Sequence, residues 1–183
     1  SAKSFISLIQ YWSDFLRAKK GGLLSAEAVK GMYGELTYLE YLLNNLDLPL
    51  NDILNSWKGP YDDSHDFHFD EKNVEIKTKT ISSNEVHISS EYQLEAVKGK
   101  KMELAVISVE DVSVNGDNLS NVLDRIRKAV LNENGDISIV SEALKKKNIQ
   151  FSTMNIYDSY MYRLKTFEIF NCDDIDFPKL TSD

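Results

Sequence analysis

The chain has 183 residues, 42% of them hydrophobic and 27% charged, which suits one folded domain with a buried core rather than a disordered segment. The formal net charge of −8 counts against broad nonspecific nucleic-acid binding, which rests on lysine and arginine, but leaves room for a local basic groove. A single cysteine, Cys172, excludes an internal disulfide framework and any multi-cysteine metal knuckle; no apolar run approaches the roughly 20 residues of a membrane span, so a reducing cytoplasmic setting with no membrane partner is expected.

Residues 4–20 read as a helix, with Phe5, Leu8, Ile9, Trp12, Phe15 and Leu16 at helical spacing and Gly21-Gly22 as its stop. Ser25 is the expected N-cap of a second helix running to about Asn45, with Ala28, Met32, Leu39, Leu42 and Leu46 as its inward stripe. Glu35 falls inside that stripe, whereas Glu27 and Glu40 read as solvated acids. A carboxylate among apolar neighbours is costly without a cation or a hydrogen-bond partner. Either Glu35 has such a partner or it snorkels out at the edge of the stripe, and the helix pattern leaves both open. Gly31 and Gly34 flank it, at a cost to the helix that suggests close approach of another backbone.

Residues 47–64 read as a long loop in which Ile53, Leu54 and Trp57 make one helical turn. Alternation then predicts three strands, over 65–70, 73–80 and 85–90, followed by a short helix over 91–97 that carries Gln93. Residues 102–112 are a nearly continuous apolar run, the signature of a central strand covered on both faces. Asn115-Gly116 marks a turn. A helix over 118–132 turns Leu119, Val122, Leu123, Ile126 and Val130 inward, and another spans 137–147. Residues 151–170 read as an aromatic β-hairpin, and the acidic tail after Cys172 as loosely held.

The chemistry concentrates in HDFHFDEKNVEIKTKT, residues 65–80, where Asp66 is followed nine positions later by Glu75-Ile76-Lys77. If the turn at 70–73 closes with an even number of loop residues, residues whose numbers sum to 143 face each other. Asp66 then lies opposite Lys77 and His68 opposite Glu75, all four on one face, with the two acids as diagonal neighbours. A loop of odd length would send Asp66 to the other face. Two acids and a lysine on one face suit metal-dependent phosphodiester cleavage. Hard oxygens hold Mg²⁺, the metal acidifies water, and a lysine stabilises charge on phosphorus. Glu35 could complete that site. The same residues also make an ordinary surface hairpin with cross-strand ion pairs, and the spacing alone does not separate the two readings.

Other candidates carry less. His65, His68 and His87 fall on differing faces with no His-x3-His pair, which argues against zinc. The lysines at 98, 100 and 101, Lys145 to Lys147, and Arg125 with Arg127 read as solvated ends of helices and loops. Trp57 and the late tyrosines read as core or interface. No phosphate-cradling G-x4-G-K-[ST] loop is present.

The order helix with Glu, strand with Asp, strand with Glu-x-Lys, then helix and strand resembles the PD-(D/E)xK nuclease superfamily. More closely, GMYGELTYLEYLL (31–43), WKGP (57–60), HDFHF (65–69), VEIKT (74–78), HISSEYQLE (87–95) and FPKL (177–180) resemble a bacterial PD-(D/E)xK family of the DUF4420 type, found near restriction or phage-defence genes. The proline of the superfamily motif is replaced by His65. The resemblance implies an α/β, restriction-endonuclease-like fold, with a mixed central sheet flanked by helices, over 1–183 as a single domain. It also implies that an N-terminal segment precedes Ser1 in longer members. It implies that Asp66 and Glu75 bind Mg²⁺ (or Mn²⁺) with the Ile76 carbonyl, that Lys77 is the catalytic lysine, that Glu35 is the helix acid, and that Gln93 is an accessory polar residue of the site. Gln93 reads equally as a local hydrogen bonder at a helix start. The expected activity is hydrolysis of DNA within a restriction or phage-defence system, with defence proteins as partners; cutting both strands would favour a homodimer. The alternative is a binding or assembly module that keeps the fold without turnover.

Overall fold

The computed structural model describes residues 22–88, 91–95 and 97–177. The helix expected over 4–20 lies outside them, as do residues 89–90 and 178–183. Helix α1 spans Ala26–Asn45 and starts where its cap was expected: the Ser25 hydroxyl accepts the Ala28 N–H at 3.2 Å. Its buried arc is wider than a single stripe, taking in Val29, Met32, Tyr33, Leu36, Tyr38, Leu39 and Leu42, because α1 packs on both the sheet and a second long helix. Ala28, expected inside, is exposed, and Leu46 is half-buried beyond the helix end.

The stretch over 47–64 is more ordered than a loop. Helix α2, Leu50–Ser56, buries Ile53 and Leu54, and a 3₁₀ turn follows at Gly59–Tyr61. Strand β1 is reduced to Phe67–His68, and β2 runs Lys72–Thr80. No strand forms over 85–88. Val86 instead packs with Leu94 against an apolar cluster on the sheet, and burying it there replaces strand pairing. The short helix expected over 91–97 is a 3₁₀ turn, Glu91–Leu94.

The central strand is β3, Lys101–Val112. Helix α3, Leu119–Asn132, is capped by Asn118 and buries the five residues expected inward. Helix α4 spans Ser138–Lys146. The late hairpin is absent: Phe151–Tyr157 is a 3₁₀ turn burying Thr153, Met154 and Tyr157, and Met161–Asn171 is one strand, β4, pairing with β3. Aromatic β-formers here serve a long-range partner, which local pattern cannot identify. The tail is tied down as far as described: Cys172 is buried, and Asp173 accepts the Met102 N–H at 3.2 Å.

The sheet order is β1-β2-β3-β4, with β2 and β3 parallel and the outer pairs antiparallel. On one face Val74, Ile76, Ala105, Ile107 and Val109 join the main core with α1 and α3. On the other, Met102, Leu104, Val106 and Cys172 form a smaller cluster beside a cavity of about 700 Å³. Parallel register sets Glu75 beside Leu104 and Lys77 beside Val106, so both polar residues belong to this second face. Arg125 of α3 donates to Glu40 of α1 at 2.6 and 3.0 Å and to Asp117 at 2.6 and 3.2 Å, tying the helices together. Glu40 is therefore not simply solvated, and Arg125 is engaged within the protein.

Gly34 gives α1 its close approach to β2, because a Cβ there would overlap Thr78 Oγ1 and stand 3.1 Å from Thr78 Cβ. Gly34→Ala is expected to destabilise the fold by about 1–3 kcal/mol in chemical denaturation, and Thr78→Ala in the same chain to recover part of that loss. An unchanged midpoint would mean that the helix can shift away freely.

Candidate active site

The hairpin of β1 and β2 pairs in a different register from the one expected. Phe67 pairs with Val74 and His68 with Asn73, so opposite residues sum to 141 rather than 143. The Phe69 N–H donates to the Lys72 carbonyl at 2.8 Å, which closes a two-residue loop of Asp70 and Glu71. The even loop keeps the expected parity, but the ladder covers only Phe67 and His68 and ends before Asp66, so Asp66 is not paired across from either Lys77 or Glu75; His68 faces Asn73, not Glu75.

Asp66 itself leaves the ladder. Its Oδ2 accepts the Ile76 N–H at 2.8 Å, and its carbonyl accepts the N–H groups of Lys58 at 2.7 Å and Gly59 at 3.0 Å. A strand residue turns its N–H and C=O to the same edge, so the Ile76 carbonyl also faces the Asp66 edge. Lys77 Nζ donates to Glu75 Oε1 at 2.8 Å and to Gln93 Oε1 at 3.0 Å, so the 3₁₀ turn does bring Gln93 to the lysine.

Glu35 reaches the same place from α1. Its Oε2 accepts the Trp57 indole N–H at 2.7 Å. A Cβ on Gly59 would overlap Glu35 Oε2 and stand 2.8 Å from Asp66 Oδ1, so both carboxylates crowd the space above this glycine. Glu35 thus has a buried partner and does not snorkel away. Trp57 and Gly59 were not singled out as site residues. Their signal was the Trp-Lys-Gly-Pro stretch between two apolar segments, which reads as core or turn until the fold sets it against α1.

The electrostatics follow from burial. Removal from water and the Asp66 charge push Glu35 up to about 8, against the pull of the Trp57 donor and Lys147. Burial and Asp66 push Glu75 up to about 7, against Lys77. Burial also raises Asp66, although the Ile76 N–H, Lys77 and Lys147 all favour its ionised form. Lys147, at the C-terminal end of α4, is a second cation acting on this site, paired with Asp62. It was read from sequence as the solvated end of a helix. Among the described residues, no three His, Cys, Asp or Glu side chains are gathered in a form that could hold a metal ion: Glu75 is turned to Lys77, and Asp66 to the Ile76 N–H.

The histidines also depart from expectation. Only two residues of the first strand are regular, so the rings of His65 and His68 come within 5.9 Å despite their alternate positions, and His65 is buried. His87 is exposed and apart from any ladder.

A mixed sheet flanked by helices, with an Asp just before one strand, a Glu-x-Lys on the neighbouring strand and a helix acid nearby, is the restriction-endonuclease-like architecture of PD-(D/E)XK proteins. The chain belongs to the DUF4420 family: the family model, described as “Putative PD-(D/E)XK family member”, matches residues 1–183. No curated protein and no solved structure gives a match. Among the described residues, no helix is long and apolar enough to cross a membrane.

Raised carboxyl groups bind protons more tightly in the folded than in the unfolded chain. The resulting stabilisation is complete below about pH 4.5 and is lost as pH rises through about 7 and 8. In EDTA, the melting temperature is expected to fall across that window. Glu35→Gln should flatten the upper part of the profile; a profile unchanged by Glu35→Gln would show that Glu35 ionises as it does in water.

Proposed function

We propose that the protein is a metal-dependent endonuclease that hydrolyses DNA phosphodiester bonds. The observation that carries this reading is the crowding of Glu35 Oε2 and Asp66 Oδ1 against Gly59, near the Glu75–Lys77 pair, with all three carboxyls less readily ionised than a free one. Buried carboxylates are costly to ionise, and a bound cation relieves that cost. The donor set fits one in kind: hard carboxylate oxygens and the Ile76 carbonyl suit Mg²⁺, with Mn²⁺ as a substitute. Asp66 and Glu75 would hold it with that carbonyl, and Glu35 would complete the set.

A bound divalent cation would supply an acidified water and neutralise charge on the phosphate. The chain's own residues do the rest. Lys77, anchored between Glu75 and Gln93, positions the attacking water and stabilises the extra negative charge as the water oxygen bonds to phosphorus and the leaving sugar oxygen departs. Gln93 orients Lys77 through its side-chain oxygen and so helps to place water or phosphate. Trp57 holds Glu35 in place, and Gly59 leaves the room both carboxylates use. We assign the activity to a bacterial restriction or phage-defence system in the cytoplasm, with defence proteins as partners, a reading that draws its support from the family resemblance; a homodimer would let two such sites cut both strands.

Supercoiled and linear DNA incubated with Mg²⁺ or Mn²⁺ tests this. Lys77→Ala and Asp66→Ala are each expected to lower cleavage by about 10²-fold or more. Cleavage untouched by both changes would reject the site. A wild type that binds no divalent cation by calorimetry and cuts nothing would leave the assembly module, which the net charge of −8 and the absence of a ready three-ligand metal group among the described residues would then explain.

A further inference from the structure

The 3₁₀ turn Gly59–Tyr61 joins the carboxylates to a group of lysines. Its first residue, Gly59, lies against Glu35 and Asp66. Its last, Tyr61, is exposed and has two ammonium groups over its ring: Lys58 Nζ and Lys146 Nζ, each 5.8 Å from the centroid. Asp62, in the left-handed conformation with φ 55°, ends the turn and pairs with Lys147, whose charge also acts on Glu35 and Asp66. Three lysines from two segments distant in sequence therefore converge around three residues, in a chain whose formal charge is −8. A 3₁₀ turn rises about 2 Å per residue, so Gly59 and Asp62 are about 6 Å apart along it.

We infer that Lys58, Lys146 and Lys147, grouped on the Gly59–Tyr61 turn, are the seat for the phosphate backbone of the DNA strand that enters the carboxylate site. The inference rests on the nuclease reading above and names the surface that holds its substrate. Two acids share the turn, Asp62 paired with Lys147 and Asp63 near Lys58, so the three lysines leave a local excess of positive charge in a chain of net charge −8. Asp62 occupies Lys147 in the free protein and exchanges it for a phosphate when DNA arrives. The contacts are to phosphate and so carry affinity rather than sequence preference.

The test is binding of a fluorescent duplex of about 20 base pairs, followed by anisotropy in Ca²⁺ over a salt series. Lys58→Ala with Lys146→Ala is expected to weaken binding about tenfold or more, and to lower the slope of log K against log salt by about 2, equally for unrelated sequences. Asp62→Asn keeps a residue suited to the left-handed conformation and removes the competing charge, so it should tighten binding several-fold. Lys165→Ala, on β4 at the opposite edge of the sheet from β1, should leave both affinity and slope unchanged. A slope unaltered in the double variant, an Asp62→Asn chain that binds no tighter, or an equal loss from Lys165→Ala would each overturn the inference. If DNA is still cut in an Asp66-dependent way, the nuclease reading survives that failure. Wild-type protein that neither binds nor cuts DNA overturns both.

Discussion

The backbone and side chain of Asp66 hold the site together. Its carboxylate takes the Ile76 N–H that a longer β1 would have paired, and its carbonyl takes two N–H groups from Lys58 and Gly59. One residue thereby closes the outer edge of β2, pins the segment after α2, and presents its second carboxylate oxygen towards Glu35. Unsatisfied backbone donors at a buried strand edge are costly, so the acid that satisfies one is fixed in position by the fold's own requirements. The pairing of Trp57 with Phe67 extends the same strap and brings the indole to Glu35.

That arrangement creates an electrostatic conflict which the fold answers in part. Three carboxyl groups share a region shielded from water, and Lys77 is bonded to one of them. Lys147 acts from further off while engaged with Asp62. Glu35 and Glu75 respond by holding their protons to higher pH than a free carboxyl. The stability given up here is sustained by the main core, where α1 and α3 cover Val74, Ile76 and the apolar centre of β3. The polar side of β2 faces the other way, beside the smaller cluster of Met102, Leu104 and Val106, and Leu94 of that cluster neighbours the Gln93 that reaches Lys77.

Helix α1, its Ser25 cap, the central strand and helix α3 were legible because each carries a local signal: a capping hydroxyl, an apolar run, or apolar residues at helical spacing. The expected strand over 85–90 and the late hairpin failed for one reason. Alternation marks a segment that suits a sheet, but not whether an edge is open to it. Val86 found an apolar face, and β4 paired with β3, leaving no local partner for 151–157. Within the candidate site, spacing singled out Asp66, Glu75 and Lys77, although the pairing expected to join them is not the one that forms. Trp57, Gly59 and Lys147 were not, since each reaches the carboxylates from another segment of the chain.

The amino-acid sequence by itself determined which residue types are available at each local position: an acid ahead of a hairpin turn, an acid and a lysine two apart on one strand face, and an acid within the apolar stripe of a helix. Period-two and helical spacing are short-range properties, and these conclusions needed nothing else. Tertiary structure decided the register, ended the β1 ladder before Asp66 so that its carboxylate takes the Ile76 N–H, and placed Glu35 under Trp57 above a glycine that leaves the space. It also set Lys58, Lys146 and Lys147 around one turn. Those outcomes depend on where packing of α1, α2 and α4 against the sheet is most favourable, a balance summed over the whole core that local spacing does not contain.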